Sequence, residues 1–88
     1  IDTYFMSASG IDPVIGCTDL GFSEASVQNQ MRHAARRTVV YADSSKFGRA
    51  SLVRVCPIEE VDCIITDRGL SEEQKNAFIE RGANLVIV

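Results

Sequence analysis

Eighty-eight residues, 45% hydrophobic and 24% charged, exclude a disordered, collagen-like or coiled-coil chain and leave room for one small domain. A net charge of -3 offers no broad basic surface to displace phosphate counterions, so this stretch alone is not a DNA reader. No apolar run approaches the ~20 residues of a membrane span, and neither the n-region nor the h-region of a signal peptide is visible.

The first strand-like run is Tyr4-Phe5-Met6, almost at the start of the chain. A core this small leans on a partner subunit or on further chain, and the sequence reads as part of a longer protein. A long loop follows, Ser7-Ala8-Ser9-Gly10-Ile11-Asp12 and on to Gly16-Cys17-Thr18-Asp19, with Asp12-Pro13 marking a turn. A helix is expected from about Glu24 to Arg37, with Ser23 as N-cap and an apolar stripe of Val27, Met31, Ala34 and Ala35. The basic cluster Arg32, His33, Arg36 and Arg37 suits a solvated helix C-terminus.

Thr38-Val39-Val40-Tyr41 is the second strand and Val61-Asp62-Cys63-Ile64-Ile65-Thr66 the third. A second helix runs from Ser71 to about Arg81, opened by a Ser71/Gln74 capping box and closed by Gly82. Leu85-Val86-Ile87-Val88 is the last strand. The second and last strands are nearly continuous in apolar β-branched residues, as strands of a buried parallel sheet are. The alternation predicts α/β architecture: a mostly parallel sheet with flanking helices and right-handed crossovers.

Three cysteines, Cys17, Cys56 and Cys63, form neither a disulfide framework nor a zinc pattern. Cys63, inside an apolar run, reads as packing, and reduced thiols fit a cytoplasmic protein. No Ser-His-Asp or Cys-His arrangement is evident, and the one histidine, His33, reads as surface. No catalytic residue, metal or cofactor is therefore assigned.

Ligands of α/β sheets bind outside the carboxyl ends of the strands, which directs attention to three segments. In the first, Gly10, Gly16 and Gly21 would let backbone approach a ligand, and the helix start offers free N–H groups to an anion. The alternative is a plain surface loop. The second is Asp43-Ser44-Ser45-Lys46-Phe47-Gly48-Arg49. Here Asp43 could accept bonds from sugar hydroxyls and Lys46 could neutralise a phosphate, or the two could form a solvated turn pair. In the third, Thr66-Asp67-Arg68-Gly69, Asp67 reads first as a turn stabiliser.

Read in order, these residues resemble a known family: Ser9-Gly10-Ile11-Asp12, Gly16-Cys17-Thr18, Glu24 opening a helix, Val40-Tyr41-Ala42-Asp43-Ser44-Ser45-Lys46-Phe47-Gly48, Val61-Asp62 and Ile65-Thr66-Asp67. They are similar to the C-terminal effector-sensing domain of DeoR-type transcription regulators. The resemblance implies a fold like that of ribose-5-phosphate isomerase and the coenzyme A transferases, of Rossmann type. It implies a phosphorylated sugar or related metabolite as effector, with Gly10, Asp12, Thr18, Glu24, Asp43 and Lys46 at the ligand. It also implies a cytoplasmic homo-oligomer whose DNA contact comes from an N-terminal winged helix-turn-helix. That helix-turn-helix and the first part of the sensor lie outside residues 1–88, which read as its C-terminal portion. Two other functions stay open on the residues alone. One is a sugar-phosphate isomerase with Glu24 or Asp43 as base and Lys46 as electrophile; the other is a pure oligomerisation module.

Overall fold

The computed structural model describes residues 2–88 and contains two sheets and two α-helices. The larger sheet is built from β1 (Thr3–Ser7), β4 (Arg37–Tyr41), β6 (Cys63–Thr66) and β7 (Leu85–Ile87), in the order β1-β4-β6-β7 and parallel throughout. Each of the four strands read from the sequence is present. The smaller sheet joins β2 (Gly10–Asp12), β3 (Gly16–Asp19) and β5 (Val53–Cys56) in antiparallel order β2-β3-β5. The helices are α1 (Phe22–Ala34) and α2 (Glu72–Glu80).

Strand order in the large sheet never reverses. Right-handed crossovers then place every connection on the same side of the sheet. The packing agrees. Register aligns Met6, Val40, Ile64 and Leu85 across one face. Met6, Val40 and Ile64 pack in one cluster with Ala25 of α1, Phe78 of α2, and Cys17 and Val55 of the small sheet, while Leu85 is partly buried against it. Phe47 meets Phe78 edge to face, with ring centroids 5.2 Å apart.

Residues of the opposite parity point to the other face. Phe5 is 61% exposed there and Tyr41 50%. Val39 and Cys63 on that face are buried, yet they stand outside the main core cluster. Cys63 is packing, as its apolar setting indicates.

Three expectations need correction. The segment from Ser7 to Asp19 is no open loop. It folds into the β2–β3 hairpin, and the Asp12 carboxylate closes the turn by accepting bonds from the Val14 and Ile15 N–H groups at 2.9 and 2.8 Å. The first helix spans Phe22–Ala34, with Gly21 rather than Ser23 as N-cap and no side chain capping it. Arg37 belongs to β4, where the β-branched run takes over. Finally, the Val27/Met31/Ala34 stripe faces outward, with Val27 56% exposed. The helix buries Ala25 instead, and Arg32 on its inner side pairs with Glu60 at 2.9 Å with its side chain 10% exposed. The basic cluster is thus divided: Arg32 is an inward ion-pair partner, while His33 and Arg36 are exposed.

The second helix behaves as expected. The Ser71 hydroxyl accepts from the Gln74 N–H at 3.1 Å, the Gln74 side chain accepts from the Ser71 N–H at 3.2 Å, and Gly82 adopts a positive φ of 80° just beyond the helix.

Candidate functional site

Because the four strands of the large sheet are parallel, their carboxyl ends share one edge. Two clefts open there. The first, about 520 Å³, lies between β1 and the start of α1 and is lined by Tyr4, Ser7, Asp19, Ser23, Glu24, Val27 and Gln28. The second, about 250 Å³, sits beyond β4 and β6 and is lined by Tyr41, Ala42, Asp43, Ile65, Thr66, Asp67 and Val88.

Gln28 organises the first cleft. Its amide oxygen accepts from the Tyr4 hydroxyl, and its amide nitrogen donates to the Ser7 carbonyl at 3.0 Å and to Asp19 Oδ2 at 3.5 Å. The other oxygen of Asp19 accepts from Ser9 Oγ and the Leu20 N–H. One glutamine thereby ties the helix to β1 and β3. Burial, with smaller contributions from Tyr41 and Asp19, raises the pKa of Tyr4 above its ordinary value, so its hydroxyl remains a donor. The cleft is rich in oxygen acceptors and has no cationic side chain in its lining. That chemistry accepts hydrogen bonds from hydroxyl groups and disfavours a bare anion.

Loop order at the second cleft comes from two aspartates. Asp43 caps a short 3₁₀ turn (Ser44–Lys46), accepting from both the hydroxyl and the N–H of Ser45. Asp67 accepts from the Ser44 N–H at 3.0 Å and the Gly69 N–H at 2.7 Å, pinning the two loops together. These bonds hold both carboxyls below their ordinary range. Asp43 is exposed, so no burial penalty demands a partner for it. In the same cleft lining, the Thr66 hydroxyl is buried and has no hydrogen-bond partner among the described residues. An unpaired buried hydroxyl is uncommon enough to mark the place.

The six residues expected at a ligand do not converge on one cleft. Glu24 lines the first and Asp43 the second. Asp12 lines a third, about 400 Å³, between the hairpin turn and α2. Gly10 and Thr18 are buried partners within the hairpin. The Thr18 hydroxyl donates to the Gly10 carbonyl and accepts from the Ser51 N–H at 2.7 Å. A Cβ on Gly10 would lie 2.6 Å from the Arg49 carbonyl, so in this fold the glycine admits neighbouring backbone. Lys46 is half-buried, forms no ion pair among the described residues, and lines none of the three clefts. Glu24 and Lys46 therefore share no cleft as the base and electrophile of an isomerase would.

The sequence reading passed over Tyr4, Ser7, Asp19 and Gln28. Asp19 was visible as the end of Gly16-Cys17-Thr18-Asp19. Gln28 carried no signal, because a glutamine in mid-helix looks like solvated surface.

Residues 1–68 match the family described as the DeoR C terminal sensor domain. This chain belongs to that family. The DeoR-type assignment agrees with relatives across nearly its whole length. It is 32% identical over 85 residues to the HTH-type transcriptional regulator GlpR of Haloferax volcanii, covering 97% of this chain and 33% of that protein. It is 32% identical over 73 residues to the HTH-type transcriptional regulator IolR of Bacillus subtilis, covering 83% of this chain and 29% of that protein. It is 32% identical over 66 residues to the L-fucose operon activator of Haemophilus influenzae, covering 75% of this chain and 26% of that protein. The chain thus spans about a third of the length of the curated relatives it matches. The DeoR-type family is one of sensor domains rather than enzymes, and the α/β architecture with its parallel sheet is consistent with it.

Proposed function

We propose that this chain is part of the effector sensor of a DeoR-type transcription regulator, C-terminal to a DNA-binding helix-turn-helix, and that the effector is a phosphorylated sugar or related metabolite. The observation that carries the effector class is the acceptor-rich cleft between β1 and α1, where Asp19, Glu24, Ser7 and Gln28 face one space. Vicinal hydroxyls of a sugar offer the donors such a cleft lacks. The phosphate would lie outside this cleft, away from its acids, and Lys46, which lines none of the three clefts, would become its point charge once the rest of the pocket is in place. Gly10 and Thr18 would set the hairpin wall, and Asp12 would hold the hairpin turn. Residues 1–88 supply part of the pocket, and the rest would come from elsewhere in the regulator or from a second copy in a homo-oligomer. The regulator would act in the cytoplasm, where phosphorylated sugars and operator DNA are both found.

Calorimetric titration of the intact regulator with a panel of pentose and hexose phosphates tests this. One of them should bind with an affinity that falls roughly tenfold in Lys46→Ala and in Glu24→Gln, about the contribution of one charge-assisted bond. Binding by none of the panel would overturn the effector class. Binding unchanged in both variants would overturn the pocket while leaving the family intact.

A further inference from the structure

Cys17 and Cys56 occupy directly opposed positions on β3 and β5. The register shifts between Cys17 and Thr18, where β5 carries one extra residue, so the pair sits beside a bulge. Opposed residues of a regular antiparallel pair have Cα atoms ~4.5–5.5 Å apart, inside the range a disulfide spans. The two side chains are buried at 0% and 1% exposure and belong to the same core cluster. Cys63 is buried as well, at 7%, on the opposite side of the large sheet and outside the core cluster that holds the other two. The chain therefore contains one pair of thiols on opposed strand positions and one isolated thiol as an internal reference.

Two features separate this pair from inert core cysteines. The Arg32 guanidinium acts on both thiols, and it is itself held by Glu60 and Asn29. The neighbouring Cys17 side chain, together with Arg32, lowers the Cys56 thiol below its ordinary value against the opposing effects of burial and Glu60. The Cys56 side chain and burial push Cys17 up, keeping it protonated. Access is also local. β5 lies at the edge of the small sheet, Cys56 is its last residue, and Pro57 follows without an N–H to continue the ladder. Fraying one strand end is enough to admit a small oxidant.

We propose that Cys17 and Cys56 form an oxidative modification site, a dithiol that hydrogen peroxide converts to a cross-strand disulfide. The Cys56 thiolate attacks one peroxide oxygen, the O–O bond breaks, and a sulfenic acid forms with release of hydroxide, which takes up a proton to become water. The Cys17 sulfur then attacks the sulfenic sulfur, its proton leaves with the departing hydroxide as a second water, and the S–S bond forms. Two thiols lose one electron each, and the peroxide gains both. The product staples β3, which carries Asp19 into the first cleft, to β5.

The test treats the folded, intact regulator with hydrogen peroxide, quenches it, denatures it and alkylates the remaining thiols, followed by a non-reducing peptide map. The expected result is loss of alkylation at Cys17 and Cys56, with their two peptides joined and Cys63 fully labelled. Reduction should restore labelling of Cys17 and Cys56. Cys63→Ser should cross-link as the wild type does, whereas protein unfolded in guanidinium before oxidation should give mixed pairings that include Cys63. Full labelling of Cys17 and Cys56, links to Cys63 in the folded protein, intermolecular links only, or sulfinic acid at Cys56 without a cross-link would each overturn the proposal. Because the wild-type map decides the matter, a variant that fails to fold does not rescue it.

Discussion

The two faces of the parallel sheet are unlike. One carries Met6, Val40 and Ile64 beneath both helices and the small sheet, and is closed. The other presents Phe5, Tyr41 and Val86 to solvent. Parallel sheets ordinarily have both faces covered. The difference teaches that apolar patterning along a strand records both neighbours of a sheet, whereas residues 2–88 supply only one of them.

The largest expected contrast is between Phe78 and Phe5. Phe78 is 1% exposed and locks α2 against Phe47, so Phe78→Ala should lower unfolding stability by about 3–5 kcal/mol in a denaturant titration. Phe5→Ala, on the bare face, should stay within about 0.5 kcal/mol of wild type. Equal losses in the two variants would break the comparison.

A smaller effect is expected inside the closed half. Thr18→Val keeps the shape of the side chain but strands the Ser51 N–H and the Gly10 carbonyl, a loss of about 1–3 kcal/mol. Ser71→Ala removes the capping box of α2 and should lower stability by about 1 kcal/mol.

The smallest effect concerns the loop edge, and its signature is pH dependence. Folding holds the Asp67 carboxyl below its ordinary value of 3.8, chiefly through the Ser44 and Gly69 N–H groups. The folded state therefore prefers the charged form. Its contribution is complete above the ordinary value and is lost as pH falls through the lower folded value. The stability gap between wild type and Asp67→Asn should accordingly be open near neutrality and narrow as acid is added below about pH 4, followed by thermal melts across that range. A gap that widens on acidification would contradict the hydrogen-bond assignment.

How far the sequence foretold this molecule differs by region. Val39-Val40 and Cys63-Ile64-Ile65 announce buried parallel strands, and Ser71 with Gln74 announces a helix start, because burial and capping leave marks in adjacent residues. The small sheet left fewer marks. β2 is three residues long and β3 four, both contain glycine, and what holds them is a remote hydroxyl, Thr18, bonded to Gly10 and Ser51. Val53-Arg54-Val55-Cys56 does alternate and could have been read as a strand. Val27 and Met31 misled because the stripe is real and faces outward. At the candidate site, Asp43 and Asp67 were legible as turn residues, and the structure assigns their visible bonds to that role. Gln28 became meaningful only when Tyr4, Ser7 and Asp19 were found around it.

The unreversed strand order β1-β4-β6-β7 has a kinetic consequence. Every ladder in that sheet joins segments separated by an intervening helix or long connection, so no pair can form as a local hairpin. Loop-closure entropy must be overcome before any of these pairings is rewarded, which is the topology of a slow folder. The β2–β3 hairpin, closed by the Asp12 turn, is the one strand pairing available early. Its second strand, β3, touches α1, which packs most extensively against β5, and from β3 Asp19 reaches the first cleft. Folding is thus expected to begin at the small sheet and to end with the strands that give the family its architecture.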